Sequence, residues 1–446
     1  MADSTRGNAQ DHTRGSTRNS TQDTTSDSTR DAYRTVLGMT GVALPVVSFF
    51  GRLPVAMIQF GSVLLVTETS GSLATGGIVA CALALGQVTL GPYVGRLADR
   101  HGQRAVVLAF SLVNAVAIAV YTAGAVADLS TPALVALGVL AGATIPGIGP
   151  LSRARVVPLI RAKGGDDRLA NTVLSLESTM DELSFVLGPA LVGLAAVAGH
   201  PAYAFAAAAL LVAGCGTGFA LHPMGRTAER EAPQAEARRG PARARGAVVR
   251  PRLPRSVYVV RLGLVFLGVL LGACGAGITA LTQELGRPGQ AGLVYAAMGV
   301  MSAVVGLSMA ALPDRFGLLA RWRVATAAAA LLSLPLVWTD SLVGLYVVVT
   351  LFGAIYAPNL ITGFALTERA VPRERLAEGM TFAASAFVGG QAVTLAVAGR
   401  LAESHGAGAA FALGTCAAAV AFVIALAARH QKPAEAPEEA PAGAAA

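Results

Sequence analysis

Three carboxylates and one guanidinium stand where the surrounding sequence is apolar. The run Glu177-Ser178-Thr179-Met180-Asp181-Glu182 lies in a segment that continues as Leu, Phe, Val, Gly, Pro and Ala, and Arg52 lies in another such segment. Read as helix, Glu177, Asp181, Ser184 and Gly188 follow i, i+4, i+7 and i+11 and share one face, with Glu182 turned about 100° from Asp181. Burial makes a carboxylate hold a proton more tightly and a nearby guanidinium opposes this, so the set can take up and release a proton. The expected charge network is Arg52 with Glu177, Asp181 and Glu182. The competing reading is a static ion pair that fixes the two segments together.

The elements that must position these groups are membrane spans. Of 446 residues, 54% are hydrophobic and 13% charged, with a mean hydropathy of +0.59. A soluble domain carries about 25% charged residues. Apolar runs of about twenty residues match the thickness of a bilayer. We read twelve transmembrane helices: Val36–Val66, Leu73–Val94, Ala105–Ala127, Thr131–Leu151, Leu169–Ala198 and Pro201–Leu221, then Val257–Leu281, Ala291–Leu312, Val324–Trp338, Ser341–Leu366, Leu376–Leu401 and Ala407–Ala428. At about 1.5 Å per residue, Asp181 and Glu182 lie roughly 20 Å into the fifth span and Arg52 roughly 25 Å into the first. An ionised group at that depth costs at least about 2.5–3.5 kcal/mol unless it is paired, protonated or hydrated.

The fold class expected is an all-α membrane protein of two pseudo-symmetric six-helix halves. Residues 1–34 form a polar, repetitive cytoplasmic tail, 35–222 the N-terminal bundle, 223–256 a basic linker, 257–429 the C-terminal bundle and 430–446 a second tail. The connections after even-numbered spans hold 23 Lys and Arg, and those after odd-numbered spans hold 2 when Arg400, at the very end of the eleventh span, is counted with Arg287. That excess puts both termini and the linker on the cytoplasmic side of the cell inner membrane. Two local repeats support duplication. Asp99-Arg100-His101-Gly102 pairs with Asp314-Arg315-Phe316-Gly317, and Arg168-Leu169-Ala170 pairs with Arg375-Leu376-Ala377. A six-plus-six repeat is common among secondary transporters.

The stretch Gly95-Arg96-Leu97-Ala98-Asp99-Arg100-His101-Gly102-Gln103-Arg104 resembles the G-x-L-a-D-r-x-G-r loop between helices 2 and 3 of the major facilitator superfamily. The resemblance implies a cytoplasmic latch formed by Gly95, Asp99, Arg100, Gly102 and Arg104, with a degenerate second copy at Asp314, Arg315 and Gly317. In the fifth span, Gly188-Pro189-Ala190-Leu191-Val192-Gly193 is similar to the G-P-x-x-G-G motif of that superfamily's drug/proton antiporter branch, with Ser184 in place of its first glycine. This second resemblance implies an exporter and a role for Gly188, Pro189 and Gly193. The first span lacks the acid, and the fourth the central arginine, that many such exporters carry, so coupling residues do not transfer wholesale.

Arg153 and Arg155 are candidates for a cytoplasmic gate over Glu177, or for cations that snorkel to lipid headgroups. Gln59, Asn114, Tyr295, Asn359 and Gln391 are polar residues within spans, suited either to a substrate cavity or to hydrogen bonds between helices. The implied function is proton-coupled efflux of a small amphipathic organic molecule by alternating access, with the lipid bilayer as surroundings. The alternative is proton-coupled import of a sugar or organic acid. No cofactor, metal site or enzymatic activity is expected, because the four cysteines and six histidines show no ligating spacing and no nucleotide loop is present, and no nucleic-acid partner, because the basic residues fall between hydrophobic segments. The resemblance implies a monomer.

Overall fold

The computed structural model of the chain describes residues 34–36, 38–162, 167–223, 253–309, 317–371 and 376–428. Nearly all of both expected tails, linker residues 224–252, and Asp314 and Arg315 lie outside the described residues. Among those described, the elements are all helices. The first half contains α1 (Ala43–Ser70), α2 (Leu73–His101), α3 (Gln103–Val126), α4 in two pieces (Thr131–Ala143 and Ile148–Ala162), α5 (Asp167–Val197) and α6 (Ala202–Leu221). The second contains α7 (Arg255–Glu284), α8 (Gln290–Ser308), α9 (Leu318–Ser333, prolonged by a 3-10 turn Leu334–Trp338), α10 (Leu342–Ala370), α11 (Leu376–His405) and α12 (Ala407–Ala427).

Ten of these are long and apolar enough to cross a membrane, with spans of 20 to 30 residues. A helix satisfies its backbone polar groups internally, as lipid demands. The remaining two are α8, with 19 residues, and α9, with 16 before its 3-10 turn. These are shorter than the other ten, and α9 begins at Leu318 rather than at the expected Val324.

Local sequence sets the ends and breaks. Ser72 caps α2 by accepting from the Thr75 amide, and Ser341 caps α10 by accepting from the Gly344 amide. Gly102 ends α2 and begins α3 at φ 88°, a conformation that an L side chain would strain. The expected single fourth span is instead interrupted between Ala143 and Ile148. Pro146 offers no N–H and disfavours helix at the residue before it, and Gly147 takes φ 63°.

The halves repeat one another in packing: α1 lies on α5 as α7 lies on α11, α2 on α4 as α8 on α10, and α3 on α6 as α9 on α12. Small residues let these backbones approach. A methyl group at Gly272 would come 2.6 Å from the Gln391 carbonyl oxygen.

Between the halves, α2 meets α11 and α5 meets α8. Both contacts are tight at one end of the bundle. There a methyl at Gly399 would come 2.7 Å from the Leu73 carbonyl oxygen, and one at Gly193 would come 2.8 Å from the Leu293 amide. At the same end, Glu403 of α11 accepts hydrogen bonds from the Ala74 amide (2.9 Å) and the Ser72 hydroxyl (3.1 Å) of the other half. At the opposite end, a methyl at Gly91 or Gly95 would meet nothing within 4 Å among the described residues, and Tyr93 is exposed. The halves are closed at the end that carries the α1–α2 turn and parted at the end that carries the α2–α3 loop.

Candidate functional site

Between the halves lies a cavity of about 340 Å³, walled by α1, α2 and α5 on one side and by α7, α8, α10 and α11 on the other. Ala, Val, Leu and aromatic side chains make up most of its surface. Asp181 and Glu182 on α5 bring carboxylates to it, and Gln59, Tyr295 and Gln391 bring neutral polar groups.

Behind Asp181 is the charge cluster. Arg52 is 5% exposed and pairs with Glu177 through Nη2 and with Asp181 through Nη1, the latter at 2.8 Å. Its Nη1 also donates to the Glu177 carbonyl oxygen (2.9 Å) and its Nη2 to the Ser48 hydroxyl (3.1 Å). The second Glu177 carboxylate oxygen accepts from the Ser152 hydroxyl at 2.9 Å. Asp181, 32% exposed, pairs through its other oxygen with Arg153, itself 34% exposed. Two cations therefore balance two anions, and one of those anions reaches the cavity wall.

The interruption in α4 makes this arrangement possible. After Gly147 the chain re-enters a helix, presenting Ser152 and Arg153 to α5. Gly149 leaves the room needed, since a methyl there would come 3.2 Å from Asp181 Oδ1 and 3.7 Å from Arg52 Cζ. Burying ions costs several kcal/mol each, and only good geometry with further hydrogen bonds offsets it. Removing one partner leaves that cost uncompensated.

Glu182 differs from its two neighbours. It reaches the cavity, its Oε1 lies 3.8 Å from where a methyl on Gly306 of α8 would stand, and it forms no ion pair among the described residues.

Not all of the expected residues gather here. Arg155 does not gate Glu177. It is fully buried, donates to the Phe219 carbonyl oxygen (2.8 Å) and Gln103 Oε1 (3.3 Å), and lies 4.1 Å over the Phe219 ring. Two residues along a helix is about 200° around it, so Arg153 and Arg155 face opposite ways.

Asn114 and Asn359 do not line the cavity either. Asn114 donates to the Ala141 carbonyl (2.7 Å) and the Thr144 hydroxyl (2.9 Å), which ties α3 to α4 beside its interruption. Asn359 donates to the Ala325 carbonyl at 2.8 Å and ties α10 to α9. In each case an amide has a backbone partner within reach and turns to it.

Gln59 bonds Gln87, and Phe60 meets Tyr295 across the two halves with ring centroids 4.6 Å apart. In α5, Gly188 packs on Ala56 and Met57 of α1, while Pro189 and Gly193 pack on Gly292 of α8. In the α2–α3 loop, Arg100 is exposed and Arg104 half-buried. The Asp99 side chain lies outside the described residues, and Gly317 precedes the first turn of α9.

Sequence reasoning missed Ser48, Ser152 and Tyr356. Ser48 stands four residues before Arg52, and so on its face, while Tyr356 was a polar ring in mid-span.

The family model of the Major Facilitator Superfamily matches residues 37–362 and 275–446. Among solved structures, the chain is similar to the nucleoside transporter NupG, with 13% identity over 86% of this chain and 97% of that one and a TM-score of 0.66. It is similar also to the human organic anion transporter MFSD10 (TETRAN), with 20% identity over 86% and 99% and a TM-score of 0.57. A third is the xylose transporter XylE from E. coli in a partially occluded inward open conformation, with 12% identity over 86% and 97% and a TM-score of 0.61. A search of curated proteins finds no match.

Proposed function

Because the chain belongs to the major facilitator superfamily, we propose that it is a secondary active transporter that exports a small amphipathic organic molecule in exchange for protons. It acts by alternating access in the cytoplasmic membrane, as a monomer, with both termini inside.

The observation that carries this reading is the course of Asp181, which lines the cavity while sharing its two oxygens between Arg52 and Arg153. A carboxylate so placed couples two events. A proton on Asp181 weakens its hold on both arginines; Arg52 stays on Glu177, so the contact that loosens is that of α5 with the second piece of α4, through Arg153. Arginine itself stays charged throughout. The α2–α3 loop, with Asp99, Arg100 and Arg104, latches the end that is parted here when the other end opens.

The largely apolar cavity suits an amphipathic molecule better than a sugar phosphate. Export is supported by the Gly188-Pro189…Gly193 sequence, whose small residues lie on the helix that contacts both α1 and α8.

The test uses inverted vesicles with a lumenal pH dye and a panel of amphipathic compounds. Wild type releases stored protons when a substrate is added, and D181N does not. Inward movement of protons with an external sugar or organic acid in right-side-out vesicles would reverse the direction and make the protein an importer.

A further inference from the structure

The charges around the cavity do not sum to zero. Glu177 and Asp181 are answered by Arg52 and Arg153. Glu182 is answered by nothing among the described residues, and no Lys, Arg or His stands among those that line the cavity. The polar groups that line the cavity with Glu182 are Asp181 on its own helix, Gln59 from α1, Thr279 from α7, Tyr295 and Ser302 from α8, Tyr356 from α10 and Gln391 from α11. None of these supplies a positive charge.

A lone anion in a wall of low polarity requires either a proton or a cation beside it. The aromatic content of the same wall favours the second partner. Phe60, Phe185, Tyr295, Tyr356 and Phe387 line one cavity with Glu182, and ring faces attract cations that have shed their water.

From this imbalance we infer that the transported molecule is a lipophilic organic cation, with Glu182 as its counter-ion. The inference rests on the proton-coupled export proposed above and names the substrate class of that site. Glu182 carries a proton when the cavity is empty. The entering cation displaces that proton to water, rests beside the carboxylate against the rings, and is replaced by a proton after release at the other side. At Glu182 one proton moves against one positive charge, apart from the proton that Asp181 takes up in the reading above.

Three naphthyl compounds of matched shape separate the outcomes: naphthylmethyl-trimethylammonium, its uncharged carbon isostere neopentylnaphthalene, and naphthylmethanesulfonate. The quaternary ammonium has no proton of its own to release. With the full chain in proteoliposomes, the ammonium compound alone binds and moves protons. E182Q weakens its binding tenfold or more and removes proton release, and E182D retains the preference for the cation. S302R places a guanidinium on the facing wall and turns the preference to the sulfonate, a gain that a misfolded protein cannot produce.

If the hydrocarbon or the sulfonate releases protons from wild type as the cation does, export coupled to protons stands and the cation assignment falls. If the cation enters together with protons rather than against them, export falls while the cation site stands. Unchanged cation binding in E182Q would remove Glu182 from the site.

Discussion

The two halves share a scaffold and divide the chemistry. In the first, α5 carries Glu177, Asp181 and Glu182 into the membrane, and α1 and α4 answer with Arg52 and Arg153. In the second, α11 packs on α7 as α5 packs on α1. The repeat offset puts Ala384 and Val388 where Glu177 and Asp181 stand. Val388 lines the same cavity as Asp181, so the two residues face one space from opposite walls. Duplication conserves backbone approach, which glycine and alanine supply at many positions, whereas a buried charge survives only where partners are kept with it. In the function proposed above, one half answers to protons while the other, among the described residues, lines the cavity with rings and amides and no charged group.

That division is broken most severely at Arg52. R52A leaves Glu177 buried without its cation, and the expected loss is about 3–5 kcal/mol of stability. It would be read as a lower Tm in detergent and a smaller folded yield; an unchanged Tm would show that the buried ions are not bound to one another.

Giving the second half an acid tests the contrast from the other side. V388D adds a carboxylate to a wall where no arginine lines the cavity among the described residues, at about 2.5–3.5 kcal/mol. Expression should fall, and the number of protons moved per substrate should stay that of wild type. A second coupled proton would mean that position, not partnership, makes an acid functional.

Within the first half, Arg155 and Arg153 divide structure from work. R155M removes hydrogen bonds from a charged group to Phe219 and Gln103, at about 1.5–3 kcal/mol, while proton release per substrate is retained. R153M changes stability least, by about 0–1 kcal/mol, because the pair it breaks is a third exposed. It nonetheless lowers proton-coupled export several-fold, measured as initial rates of dye response.

The contrast between the halves was legible at the level of residue type. Apolar runs and the positions of arginine give the spans, and helical spacing puts Glu177 and Asp181 on one face with Arg52 at matching depth. The partners were less legible. Which arginine answers which acid depends on the interruption at Pro146 and Gly147, which turns Arg153 inward and sends Arg155 to Phe219. A span read from hydropathy alone passes through that point as continuous helix. The amides show the same limit, since Asn114 and Gln59 are alike as mid-span polar residues. One faces a backbone carbonyl freed beside the interruption, and the other faces the cavity.

The closed end has a consequence for the speed of the cycle. Where Gly399 meets Leu73 and Gly193 meets Gly292 and Leu293, backbone lies against backbone with little side chain between. A contact of this kind has few rotamers to freeze when it forms and few to free when it opens. Since immobilising a long side chain costs up to about 1.5–2 kcal/mol of conformational entropy, a seam of glycines can seal and part at every turnover with little of that cost.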